Sequence, residues 1–61
     1  MRHVVWDEPG PHGNIHNVIT EQEAIDRSHE YAYVIGRSYP NHEEALDDFM
    51  TRHWAWFEET T

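Results

Sequence analysis

Cysteine and lysine are both absent from this 61-residue chain. Without cysteine there can be no disulfide, no thiolate zinc site and no cysteine nucleophile, and the composition suits a reducing cytoplasm. Glycine occurs only three times, in segments that read as turns, so no loop is built to cradle a phosphate. Long apolar runs are missing too. Nothing approaches the roughly 20 residues that span a bilayer, and the opening MRHVVWDEPG turns polar too early for the core of a signal peptide. A soluble, unprocessed cytoplasmic protein is expected.

What is present in excess is acid. Twelve Asp and Glu against four Arg give a net charge of −8, which repels nucleic-acid backbones and anionic membranes and attracts basic protein surfaces. The expected partner is therefore a basic protein surface, with no direct nucleic-acid or membrane contact. An acidic surface can also serve solubility alone. The chain is long enough for one domain only, and at this size folding buries only about 60% of the surface the unfolded chain exposes. Three Trp, three Tyr and two Phe must supply much of that burial.

Three local signals organise the chain into a small α+β domain, 1–61, with ββαα order. His3 to Asp7 and Asn14 to Ile19 are short segments rich in Val, Ile and Trp, and the Pro- and Gly-rich stretch Glu8 to Gly13 between them marks a hairpin with a longer loop. Thr20-Glu21-Gln22-Glu23 has the form of a capping box, so a helix is expected from Thr20 to about Ile35, with Gly36 as the left-handed residue beyond it. Asn41-His42-Glu43-Glu44 repeats the capping pattern and opens a second helix, expected to run antiparallel to the first and to reach about Glu58. The predicted core comprises Val4, Trp6, Ile15, Ile19, Ile25, Ala32, Ile35, Leu46, Phe49, His53 and Trp56.

At about 100° per residue the second helix divides into two halves. Ala45, Leu46, Phe49, Met50, His53, Trp54, Trp56 and Phe57 gather on one side; Glu44, Asp47, Asp48, Glu58 and Glu59 gather on the other, with Arg52 as their one basic neighbour. The candidate partner-binding residues are Glu43, Glu44, Asp47, Asp48, Glu58 and Glu59, with Trp54, at the edge of the apolar arc, as an interface anchor. For Trp54 and Trp56 the competing reading is core packing. His53 reads either as a neutral core imidazole or as a pH-responsive group.

Neither metal nor catalytic chemistry is encoded by spacing. His12 and His16 are four apart but interrupted by Gly13, and His42 and His53 are about 16 Å apart along one helix, so no structural metal or cofactor is expected. Ser28 and Ser38 lack a triad-like setting, and the acidic pairs lie on a face expected to be convex and wet, where general acid-base work gains little. An enzyme is not expected.

The segment Ala45-Leu46-Asp47-Asp48-Phe49-Met50-Thr51-Arg52-His53-Trp54-Ala55-Trp56 resembles the C-terminal signature of a group of short proteins encoded by bacteriophages and prophages: an acid-Asp-aromatic triplet, three residues, then His or Asn and Trp-Ala-Trp. Val18 to Glu23 is similar to the strand-to-helix entry of the same group. The matches touch about half the chain, and Met50-Thr51-Arg52 departs from the group's usual valine-rich run. The resemblance implies a mobile-element origin and carries no functional residues with it. Small acidic phage proteins that block a nucleic-acid site on a host protein, of the anti-CRISPR or anti-restriction sort, then set the first functional expectation. A non-enzymatic assembly accessory, homo-oligomeric through its aromatic face, is the alternative, and a metal-dependent binding module built on the histidines is a third.

Overall fold

Alternation of side chains along the first strand decides the architecture, because its two faces are covered differently. The computed structural model describes residues 1–59. Strand β1 (Arg2–Gly10) lies between β2 (Gly13–Thr20) and β3 (Trp56–Glu59), both antiparallel to it, and the helices α1 (Glu21–Val34) and α2 (His42–His53) fall between β2 and β3 in the chain. Directly opposed residues share a face. Val4 therefore lies beside Ile19 and Phe57, on the same face as Trp6, and this face packs against Ala24, Ile25, Leu46 and Phe49 of the helices. Val5, with Val18 and Trp56 on either side, points to the opposite face.

The expected α+β domain with a hairpin followed by two helices is present, extended by a third strand. Its hairpin is tighter than expected. The pairing continues through Glu8, Pro9 and Gly10 to the partners Ile15, Asn14 and Gly13, leaving only Pro11 and His12 as the loop. Proline is tolerated at position 9 because β3 pairs only with Arg2 to Val5, so this end of β1 has a free edge where a missing N–H breaks no ladder.

Both helix starts follow their sequence signals. Thr20 Oγ1 accepts the Glu23 amide at 3.1 Å, and Asn41 Oδ1 accepts the Glu44 amide at 2.8 Å. On α1 the buried residues Ala24, Ser28 and Ala32 recur every fourth position, a stripe of small side chains that lets α2 approach closely. Trp6 fills the centre, edge-on to Phe49 at 5.3 Å and beside His53 at 4.8 Å between ring centroids. The Trp6 Nε1 donor is buried with no hydrogen-bond partner among the described residues.

Three expected core residues lie elsewhere. Ile15 and Ile35 are exposed: the first sits toward the hairpin tip, beyond the reach of the helices, and the second follows the last turn of α1. Trp56 is 40% exposed because it belongs to β3 and not to α2. The second helix stops at His53, five residues before the expected end near Glu58, so Glu58 and Glu59 are strand residues. Trp54 takes left-handed dihedrals, φ 53° and ψ 40°, and turns the chain toward the sheet.

Candidate acidic and aromatic interface

The six acids expected on one helical face fall into three settings. Glu43, Glu44 and Asp47 are exposed on α2, at positions i, i+1 and i+4 that place them within one turn of each other. No basic group among the described residues lies within ion-pair distance of any of the three. Glu43 and Asp47 line a groove together with Arg2, Leu46, Met50 and Phe57. Arg2 is itself engaged, its Nε donating to Glu21 at 2.6 Å and its guanidinium lying 3.7 Å from the centre of the Phe57 ring.

Asp48 is a structural residue, contrary to its expected place on the open acidic face. Its Oδ2 accepts the Tyr39 hydroxyl at 2.5 Å and the Arg52 Nε at 2.9 Å, and Arg37 stands 3.9 Å from Oδ1. These contacts hold the Asp48 carboxyl below the usual carboxylate range, the Tyr39 hydrogen bond contributing most. Arg52 also lies 3.9 Å from the centre of the Tyr31 ring and donates to the buried Ser28 hydroxyl at 3.5 Å. The Asp48 cluster thus ties α2 to α1 and to the connection between them.

Glu58 and Glu59 stand on the edge strand β3. Glu58 accepts the Trp56 indole N–H at 2.9 Å, and Glu59 accepts the N-terminal ammonium at 2.8 Å, which holds its carboxyl below the usual range. The expectation of a continuous band of acids opposite an apolar arc is corrected accordingly. Three acids remain on the outer helix surface, two lie along a sheet edge, and one is an internal tie.

Trp54 is 88% exposed, although it occupies a backbone position that most often holds glycine. The amides of Trp54 and Ala55 return to the carbonyls of Thr51 and Met50, at 3.5 and 2.9 Å, closing the helix. A left-handed conformation is unfavourable for a residue with a Cβ, and the exposed indole gains little burial to offset it. Its Cα follows that of Asp47 by two helical turns, about 10 Å along the axis.

The histidines are arranged in ways that sequence spacing did not reveal. His16 contacts Asp7 at 2.7 Å across the hairpin, and His29 on α1 meets His42 on α2 at 3.3 Å between ring nitrogens. Thirteen residues separate the latter pair, and only the helix pairing brings them together. His53 is half-buried against Trp6 and Phe49, and its pKa is lowered, first by burial and then by the neighbouring Arg52 charge. Among the described residues no group of three or more His, Asp or Glu side chains is placed to hold a metal ion.

No helix among the described residues is long and apolar enough to cross a membrane. No family model, curated protein or solved structure matches the chain.

Proposed function

We propose that this chain is a small, non-enzymatic, acidic protein-binding module of mobile-element origin, acting in the host cytoplasm as a stoichiometric inhibitor of a host nucleic-acid-handling complex. The observation that carries the reading is the placement of Trp54, held out in a left-handed conformation, beside three outer carboxylates that have no ion-pair partner among the described residues. Glu43, Glu44 and Asp47 present charge at helical spacing to a groove lined by Arg or Lys, and Trp54 supplies the large aromatic anchor that charge alone does not. Glu58 and Glu59 extend the acidic surface along the sheet edge. This mode of action is of the anti-CRISPR or anti-restriction type, in which carboxylates occupy a site evolved for phosphates.

The test begins with capture of partners from host lysate at low salt. The captured complex is then assayed for nucleic-acid binding with and without the chain. One equivalent of the parent should displace the nucleic acid, whereas Glu43→Arg combined with Asp47→Arg should bind more weakly, and affinity should fall as salt rises. Equal binding by the doubly reversed variant across a salt series would overturn the acidic-face reading.

A second reading has support of its own. Val18 and Trp56 flank the buried Val5 on the sheet face opposite Val4 and Trp6, and both remain exposed, as suits a homo-oligomeric assembly accessory. Sedimentation of the parent and of Val18→Glu separates the two: self-association lost in the variant would favour assembly, and a monomeric parent would exclude it.

A further inference from the structure

We propose that His29 and His42 form a two-imidazole clip for a late first-row divalent cation, zinc, nickel or copper, across the seam between α1 and α2. The carrying observation is the separation of 3.3 Å between His29 Nε2 and His42 Nδ1. Two imidazole nitrogens bound at about 2.0 to 2.1 Å to one tetrahedral zinc lie about 3.3 to 3.4 Å apart, from the bond length and the tetrahedral angle. The pair already stands at chelating distance. Their rings cross at 85°, and the edge-on Tyr39 ring, 5.8 Å from that of His29, supports that side chain from the connection between the helices.

Loading requires a change of tautomer and a tilt of both rings, which brings their lone pairs together off the line between the nitrogens, but no net chemistry on the protein. In the hydrogen-bonded pair one of the two facing nitrogens carries a proton, and a metal needs the lone pair of both. The proton moves to the other nitrogen of the same ring, and both neutral imidazoles then donate to the ion. With no third protein donor placed among the described residues, water fills the remaining positions and leaves them open to a donor from another molecule. Imidazole selects late transition metals, so magnesium and calcium, which prefer oxygen donors, are not held. The net charge of −8 raises the local cation concentration. Because the two donors sit on different helices, the ion binds the folded chain in preference to the unfolded one and stabilises the helix pair.

The experiment uses the full chain, freed of metal and prepared without a polyhistidine tag. Calorimetric titration with zinc chloride should saturate at one ion per chain, and the melting temperature should climb with the logarithm of zinc concentration, while magnesium chloride moves neither. His29→Ala and His42→Ala should each abolish the effect, with His12→Ala as the control that retains it. Substoichiometric nickel added to the parent should broaden the ring-proton resonances of His29 and His42 first, a readout that does not depend on any variant folding. Absence of saturable binding, undiminished binding by the His29→Ala/His42→Ala double variant, or broadening that begins at His16 would overturn the proposal.

Discussion

The two helices end in the same backbone motif but with opposite residues at its critical position. After α1, Gly36 takes the left-handed conformation, φ 71°, and the amides of Gly36 and Arg37 return to the carbonyls of Tyr33 and Ala32 at 3.3 and 2.7 Å. After α2, Trp54 stands where Gly36 stands, with the corresponding bonds from Trp54 and Ala55. Glycine meets the geometry without strain, whereas a residue with a Cβ meets it at a cost of roughly 1 to 2 kcal/mol. A side chain retained there while almost fully exposed contributes little to folding that would offset this cost, so its contribution is sought outside the fold. The difference separates a helix end whose residue meets the left-handed geometry freely from one whose residue is held there at a conformational cost.

The largest expected effect concerns the surface both helices share. Phe49→Ala removes a side chain that is 2% exposed and packs edge-on to Trp6; it should lower stability by about 3 to 5 kcal/mol. Denaturant titration measures this, and a loss under about 1 kcal/mol would mean that the two helix ends are not held by a common core.

Making the ends alike is the next test. Gly36→Trp places a Cβ where nothing lies within 4 Å, so only the backbone conformation opposes it, and stability should fall by roughly 1 to 2 kcal/mol. An unchanged melting temperature would show that the left-handed position carries no strain, and the contrast between the two ends would lose its meaning.

The last turn of α2 also carries the pH dependence. The folded-state pKa of His53 is depressed, first by burial, so the neutral imidazole is favoured in the fold. Its contribution is complete above the ordinary value of 6.5 and is lost as pH falls below that value through the folded pKa. Asp48 adds a second, more acidic loss: its folded pKa lies below 3.8, mainly through the Tyr39 hydrogen bond, so its contribution is present above 3.8 and disappears as pH falls through the folded value. Stability measured from pH 7 to pH 3 should decline in both windows, and His53→Phe should flatten the upper one. A parent curve flat between pH 7 and pH 5 would contradict the placement of His53 against the core.

Legibility in the sequence follows the same contrast. The start of α1, its end at Gly36 and the start of α2 were all readable, because Thr20, Gly36 and Asn41 are residues whose local chemistry specifies the backbone. The end of α2 was not, since Trp54 gives no such signal and the helical period runs on without interruption through Trp56 and Phe57. That one missed turn moved Trp56 from the core to the open sheet face and carried Glu58 and Glu59 onto a strand. Asp48 was misplaced for another reason: its partners Tyr39 and Arg37 lie in the connection between the helices, and only folding brings them to its carboxylate. The exposure of Glu44 and Asp47 was legible from helical phase alone. The meeting of His29 with His42 was not, because it depends on how the two helices align.

Trp54→Gly tests the contrast between the two ends most directly. Stability by denaturant titration and affinity for the captured host complex are measured on the same preparation. The variant should be more stable than the parent by roughly 1 kcal/mol, as expected when a strained left-handed residue becomes glycine, and should bind the complex at least tenfold more weakly. A variant that loses stability and binds as tightly as the parent would show that Trp54 serves the fold and not a partner.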